Sequence, residues 1–484
     1  MVITLPERID RIFIGGRWVT PSSGDRTVAT SPTTEQALAS VATAAVADVD
    51  RAVAEARRAF ETSGWATSRA EDRAAALRPL ARGLTARARE LAELISLEMG
   101  CPLDYSLSRQ VPGAAMVVDY FADLAASIAW DQRRPGVVGD SLVVREPVGV
   151  VAAVVPWNTP FLSIMVKLVP ALVAGCAVVV KAPPEIALCA AEVASLLEDC
   201  DLPAGLVSVL VADREVSEHL VSHPEVDKVA FTGSTEAGKR ILEICARSMR
   251  RATMELGGKS AAIVLDDADV DSTAAGLVAG GMSLNGQMCT AQQRVLVPRN
   301  LRKALTDAVC DRVAALVVGD PLDERTGIGP LVASRQRDRV QALFDTARAE
   351  GATTLRGGGR PAGLDRGWFV EPTVFDDVTP AMTIANVEVF GPVLCLMAYD
   401  DVDEAVTIAN ATAYGLAGAV WTGDGDRGIA VARRIRTGTC GVNRYGVDFG
   451  APFGGFKQSG LGRELGPEGL DAFVEYKTIA LPIS

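Results

Sequence analysis

Val148-Gly149-Val150-Val151-Ala152-Ala153-Val154-Val155 is an uncharged, almost wholly apolar run. Three more follow it: C-A-V-V-V-K at 176–181, L-V-S-V-L-V at 206–211 and V-D-K-V-A-F-T-G at 226–233. Short apolar runs without alternation mark strands buried on both faces of a parallel sheet. Stretches with helical spacing, such as Glu185 to Cys200, separate them. The order is therefore βαβ, and the fold class is α/β with a nucleotide-binding pattern. The uncharged span from Pro147 to Val166 matches the roughly 20 residues that a transmembrane helix needs. It contains Pro147, Pro156, Asn158 and Pro160, which make it a buried strand ending in a turn.

Before this series, residues 12–46 alternate and turn, predicting a short antiparallel hairpin ahead of the first helix. Asp48 is placed to cap that helix, whose Val49, Val53, Ala56 and Phe60 recur at helical spacing. A helical region rich in Ala, Arg and Glu continues to about Trp130, with breaks expected near Gly64, Gly100 and Pro112; its Ala/Leu stripes read as packing surface. A second α/β region begins near Lys259 with the strand S-A-A-I-V-L. It continues with a helical stretch ending at Gly286, a strand after Cys289 and a helix from about Leu301 to Val317. Arg356 to Asp365 is a Gly-rich loop, and the tail from Ala472 to Ser484 alternates as an edge strand in need of a partner.

The 484 residues exceed what one hydrophobic core supports, so two or three domains are expected. A net charge of −12 leaves no excess of Lys and Arg to neutralise phosphates, which argues against nucleic acid or an anionic membrane and for small-molecule chemistry. Nine cysteines, an odd count without C-x-x-C spacing, suggest neither a disulfide framework nor a zinc site. The start, M-V-I-T-L-P-E-R-I-D-R, lacks the apolar core of a secretory signal, which points to a reducing cytoplasm. His219 and His223 are the only histidines, with Glu215 four before the first. Without an H-E-x-x-H string, and with Pro224 adjacent, they read as a solvated helix end, so no metal site is expected.

Several turns carry chemistry. Asn285-Gly286-Gln287-Met288-Cys289-Thr290 sets a thiol on a Gly-containing loop between regular elements, where nucleophiles sit; a small buried hydrophobe is the plainer reading of Cys289. Phe231 to Arg240 (F-T-G-S-T-E-A-G-K-R) follows a strand and opens a helix. There Gly233 admits a ligand to the backbone, Ser234 can donate, and the helix N–H groups favour a pyrophosphate. The string nearly matches a P-loop, an ATPase or kinase reading, but Arg240 stands where the magnesium-binding hydroxyl belongs; a Gly-rich turn without a ligand also fits. Asn158 in P-W-N can stabilise an oxyanion or only cap a turn. Lys181 ends its strand at the edge where α/β sheets bind cofactors, or is simply solvated. Glu255, before Gly257-Gly258, becomes a general base near neutrality if desolvated, and is otherwise an ordinary surface glutamate. With so few histidines, a Ser-His-Asp or Cys-His mechanism is short of its base, and Glu255 fits that role.

Seven motifs stand in the order and spacing of the aldehyde dehydrogenase superfamily, which the chain resembles over essentially its whole length. They are P-W-N (156–158), V-V-V-K (178–181), F-T-G-S-T-x-x-G (231–238), E-L-G-G-K-S (255–260), G-Q-x-C-T (286–290), E-V-F-G-P-V (388–393) and P-F-G-G-F-K-x-S-G-x-G-R-E-x-G (452–466). The resemblance implies NAD(P)-dependent oxidation of an aldehyde to the acid through a thiohemiacetal and a thioester on Cys289. Asn158 and the Cys289 N–H would form the oxyanion hole, Glu255 would activate water, and Lys167 and Glu464 would assist proton movement. Lys181 would contact the adenosine ribose, Gly233 and Ser234 the pyrophosphate, and Glu388 and Phe390 the nicotinamide end. Trp157, Glu185, Gly238 and Leu256 complete the implied cofactor set.

The implied architecture is a NAD(P)-binding domain (1–124 and 148–257), a catalytic domain (258–465) and a β arm (125–147 and 466–484) that joins a second copy in a homodimer or homotetramer. The implied tunnel is lined by Thr159, Ser163, Val166, Met288, Thr290, Tyr445, Val447 and Phe453. None is charged, so an apolar or aromatic aldehyde is expected over an anionic semialdehyde, although Arg444 adjoins the lining. Many NAD-preferring members carry a glutamate three residues after the strand-end lysine. Here Pro184 takes that place and the acid shifts to Glu185, so NAD is expected as the main cofactor with measurable use of NADP.

Overall fold

The computed structural model describes residues 5–482, so the first four residues of the N-terminal stretch and the last two of the tail lie outside the described residues. Its larger sheet has eight strands, and the five central ones are parallel: in spatial order Arg251–Glu255, Lys228–Thr232, Val150–Val154, Ala177–Ala182 and Val207–Val211. Every residue of Val150–Val154, Ala177–Ala182 and Val207–Val211 is buried, as helices on both faces require. The chain enters at Val150–Val154, runs outward through two strands on one side, then returns to Lys228–Thr232 on the other. That reversal makes a switch point between Val150–Val154 and Lys228–Thr232, and a crevice opens beyond the carboxyl ends of such strands. Pro156-Trp157-Asn158 leaves one of the two strands there, and Gly233-Ser234 leaves the other.

A second sheet of seven strands follows the same logic. Thr373–Asp376, Val393–Tyr399, Arg294–Pro298, Ala261–Val264, Gly418–Trp421 and Gly441–Val442 are parallel, and Thr353–Arg356 joins antiparallel at the far edge. Gly460–Leu461, from the C-terminal Gly-rich motif, reaches back to pair with Arg251–Glu255 of the first sheet, tying the two regions together next to Glu255.

Several local expectations change. Residues 12–46 hold two hairpins, Ile12–Ile14 with Arg17–Val19 and Arg26–Thr30 with Ala37–Ala42. The first helix, Val46–Thr62, starts ahead of Asp48, which lies in its first turn rather than at its cap. From there the carboxylate accepts the Ala45 N–H at 3.0 Å and the Ser22 N–H at 2.9 Å. Pro112 does not break its helix: a π turn, Ser106–Gln110, precedes Val111–Ser127 and gives the proline ring room. The α-helix before the thiol ends at Met282, and a 3-10 segment, Ser283–Gly286, kinked at Leu284 and Asn285, carries the stretch on to Gly286. The tail strand, Val474–Ala480, finds its first partner in its own chain, antiparallel to Ser141–Pro147 in a three-stranded arm with Asp131–Arg134. It is still the outer strand of that arm.

Among the described residues no helix is long and apolar enough to cross a membrane, and no cluster of His, Cys, Asp and Glu could hold a metal. His219 instead meets Asp50 at 2.6 Å on the surface.

Candidate active site

The loop carrying Cys289 is held before the thiol is reached. Leu284 and Asn285 take left-handed φ values of 55° and 56°, and Gly286 one of 69°. Asn285 is fully buried; its amide donates to Gly100 O (2.8 Å) and Pro330 O (2.9 Å), and its oxygen accepts the Gly329 N–H (2.7 Å). A Cβ at Gly286 would lie 2.1 Å from Gly391 O, so glycine is required for the close approach. Gln287 then accepts the Val332 N–H at 3.0 Å. From the switch point, Asn158 Nδ2 donates to Gln287 O at 3.0 Å, which brings that amide beside the thiol. On the other side a Cβ at Gly258 would stand 2.3 Å from Cys289 O, so the Gly257-Gly258 turn packs against the Cys289 peptide. Ser459 fixes that turn by donating to Gly257 O at 2.7 Å.

Burial, reinforced by the charges of Glu388 and Glu255, pushes the Cys289 thiol up to about 12. Glu255 is 3% exposed, and neither carboxylate oxygen has a hydrogen-bond partner among the described residues. Its pKa stands well above the ordinary carboxylate value because of burial first and Glu464 second, with Lys167 and Arg463 opposing. Lys167 is wholly buried, donates to Thr232 Oγ1 at 2.6 Å and forms an ion pair with Glu464. Glu388 accepts the Gly258 N–H at 2.9 Å, and burial raises it to about 7.

These groups share one cleft of about 2240 Å³. Its wall includes Cys289, Glu255, Asn158 and Glu464 and all eight residues expected for the tunnel, with Lys167 set behind it. Of the expected cofactor contacts, Trp157, Gly233, Ser234, Leu256, Glu388 and Phe390 line the cleft, whereas Lys181, Glu185 and Gly238 are not among its lining residues. Gly238 lies under Leu256, whose side chain a Cβ there would strike at 2.5 Å. Glu185 forms an ion pair with Arg335.

The crevice suits a dinucleotide. Ser234 caps Thr235–Ala246, its Oγ accepting the Ala237 N–H at 3.3 Å; the Thr235 and Glu236 N–H groups have no acceptor among the described residues. Those free donors favour a pyrophosphate. Trp157 and Phe390 meet edge to face, 5.3 Å between ring centroids, at the other end. Arg240, standing where a P-loop has its magnesium-binding hydroxyl, forms a surface ion pair with Glu218 at 2.6 Å.

Tyr105, Arg109, Met116 and Tyr120 also line the cleft, as does Arg444. The first four lie in a helical region that reads as packing surface in sequence. Tyr105 donates to Met288 Sδ at 3.5 Å, beside the thiol, and Tyr445 meets Thr439 Oγ1 at 3.0 Å. Polar and aromatic residues interrupting an Ala/Leu stripe were the available signal.

The aldehyde dehydrogenase family model matches residues 18–479. A geranial dehydrogenase of Castellaniella defragrans is 44% identical over 471 residues, covering 97% of this chain and 98% of its own. A 3-succinoylsemialdehyde-pyridine dehydrogenase of a Pseudomonas species is 40% identical, covering 96% and 97%. The crystal structure of a Mycobacterium tuberculosis aldehyde dehydrogenase complexed with NAD+ superposes with a TM-score of 0.96 at 42% identity, covering 98% of both chains. That of a Pseudomonas syringae aldehyde dehydrogenase with NAD+ and octanal has a TM-score of 0.96 at 38% identity, covering 100% and 99%.

Proposed function

The chain belongs to the aldehyde dehydrogenase family, and from that premise we propose that its cleft oxidises an aldehyde to the carboxylic acid with Cys289 as nucleophile. The observation that carries the assignment is the convergence of Cys289, the Asn158 amide and a buried, unpartnered Glu255 on one cleft. Cys289 gives its thiol proton to Glu255, which passes it on toward Glu464 and Lys167, and Sγ attacks the carbonyl carbon. One Asn158 N–H is held by Gln287 O, and its second N–H, with the Cys289 N–H, is left to stabilise the oxygen that becomes negative. NAD+, when bound, would supply the hydride acceptor for oxidation of the thiohemiacetal to the thioester. Glu255, raised by burial, takes a proton from the water that cleaves the thioester, and Lys167 and Glu464 lie where that proton can be passed on. A relative that transferred the acyl group to CoA or phosphate would have no use for such a base.

The cofactor is held by Trp157, Gly233, Ser234, Leu256, Glu388 and Phe390, with Lys181 at the adenosine end and NADP also accepted. The substrate is an apolar or aromatic aldehyde, supported by eight uncharged tunnel residues and by the geranial and octanal named for similar proteins. Residues 1–124 and 148–257 form the cofactor domain and 258–465 the catalytic domain. The arm, 125–147 with 466–484, joins copies into a dimer or tetramer. The protein works in a reducing cytoplasm, which suits nine unpaired cysteines.

Rapid-mixing and steady-state kinetics test the roles. Cys289→Ala abolishes hydride transfer and any ester hydrolysis; Glu255→Gln leaves a burst of reduced cofactor and slow turnover. Full steady-state activity in Glu255→Gln would remove the base from that residue. An aldehyde panel of varied length, ring content and charge, read by reduced-cofactor absorbance, tests the substrate class, and a clear preference for a carboxylated aldehyde refutes the apolar assignment.

A further inference from the structure

Glu255 ends the strand Arg251–Glu255, and the C-terminal Gly-rich motif folds over its carboxylate. Gly460 pairs with Glu255 in the sheet. Earlier and later parts of the same motif meet where Phe453 and Glu464 exchange backbone hydrogen bonds of 2.6 and 2.7 Å. Between these contacts lies Gly454, at a φ of 155°. A Cβ there would stand 2.7 Å from Glu255 Oε1 and 2.9 Å from Arg463 Cδ. The bare glycine is therefore the gap across which the Glu255 carboxylate and the Arg463 side chain face each other.

Arg463 is half-buried and fixed on this loop. Its Nη1 donates to Gly462 O at 2.6 Å and to Gly455 O at 3.2 Å, and its guanidinium carbon lies 5.6 Å from the centre of the Phe456 ring. Those partners are carbonyls and a ring; among the described residues no carboxylate forms an ion pair with it. Glu255, for its part, has no hydrogen-bond partner among the described residues for either oxygen. A carboxylate buried in that condition is costly to ionise unless a nearby cation favours it.

The groups facing Glu255 do not contribute equally. Burial most opposes its ionisation and Glu464 adds to that, while Lys167 and Arg463 favour it. Cys289, raised by burial to about 12, keeps its own proton in the neutral range. Lys167 is already matched, because it is ion-paired with Glu464 and donates to Thr232. At Glu255 the cation and the acid of that pair largely offset each other. Arg463 is the cation left without an offsetting acid.

We propose that Arg463 is a positioning residue for the general base: held on the Gly-rich loop and facing Glu255 across Gly454, its charge keeps that carboxylate ionised for the attack of water. The inference rests on Glu255 as base and Cys289 as nucleophile, and adds the group that sets the pH range over which the base works. Arg463 exchanges no proton in the step. Removing its charge raises the pKa of Glu255, so the base form is reached only at higher pH, and at alkaline pH the carboxylate is ionised with or without Arg463.

The test is the pH profile of kcat, at saturating aldehyde and NAD+, for wild type, Arg463→Gln and Arg463→Lys, with Glu255→Gln to assign the acid limb. Arg463→Gln moves that limb up by about one pH unit, which costs about tenfold at a pH on the limb and less than about twofold on the alkaline plateau. Arg463→Lys, which keeps the charge and loses the fork, keeps the wild-type limb. Added salt screens the half-buried guanidinium more than the buried pair of Lys167 and Glu464, so it moves the wild-type limb in the same direction. A limb left in place by Arg463→Gln overturns the proposal, as do equal losses at every pH in both Arg463 variants, which would make the side chain a packing element of the loop. Should Arg463→Gln not fold, a wild-type limb unmoved by salt overturns it. A limb that survives in Glu255→Gln, or a wild type that reduces NAD+ with no aldehyde at any pH, counts instead against the underlying assignment.

Discussion

At Cys289, burial opposes the thiolate and the charges of Glu388 and Glu255 oppose it further, so without cofactor the thiol keeps its proton through the neutral range. Of the two, Glu388 has the larger effect on the thiol. Glutamine in its place can still accept the Gly258 N–H that Glu388 accepts at 2.9 Å. The sign follows from Glu388's own titration at about 7: above that pH its negative charge is present and holds the Cys289 pKa up, and below it the charge is gone. Cofactor-free Glu388→Gln is therefore alkylated by iodoacetamide several-fold faster than wild type at pH 8, and at the same rate at pH 6. Equal rates at both pH values would remove Glu388 as a restraint on the thiol and leave burial and Glu255.

The elements around the thiol show where local pattern stops being a guide. In sequence the helical stretch runs to Gly286, yet its α-helix ends at Met282 and gives way to a kinked 3-10 segment, Ser283–Gly286, in which Asn285 meets three buried partners at Gly100, Gly329 and Pro330. Those partners are remote in sequence, so no local reading shows them. Asn tolerates the left-handed conformation that Asn285 adopts better than most residues do. Asn285→Gly keeps that backbone freedom but leaves two carbonyls and an N–H unpaired, at about 1–3 kcal/mol for each buried group left unsatisfied. Partial relaxation should bring the loss of stability to on the order of 3 kcal/mol. Asn285→Ala loses about 1 kcal/mol more, because alanine resists positive φ. Denaturant titrations of both variants check these values, and kcat falls with the displaced loop while Cys289 remains. A loss below about 0.5 kcal/mol in Asn285→Gly would mean that water replaces the side chain and that the network does not fix the loop.

Across the whole molecule, the legible parts were those whose signal is local. Strands buried on both faces must be continuous apolar runs, so the central sheet could be read directly, and the turns at its carboxyl edge carried their glycines, Asn158 and Glu255 in sequence. Pairing between distant segments was not legible: Arg335 against Glu185, Tyr105 against Met288, and the tail strand against Ser141–Pro147. This last pairing changes what the arm needs. Val474–Ala480 already has one neighbour, so its open side is the edge that remains, with Tyr476 51% and Ile479 43% exposed and Val137 and Val138 bare at the turn of the arm. An open strand edge carrying apolar residues invites pairing with another chain. The seven-stranded sheet likewise ends in the short strand Gly441–Val442. A charge placed on the arm should oppose burial against a second copy while leaving the arm's internal ladder intact, since Ile479 pairs with Leu142 through the backbone. Size-exclusion chromatography with light scattering should therefore show wild type as a dimer or tetramer and Ile479→Asp as a smaller species with the same far-ultraviolet circular dichroism. A monomeric wild type at micromolar concentration would mean that the arm's exposed edge is tolerated in solution and does not join copies.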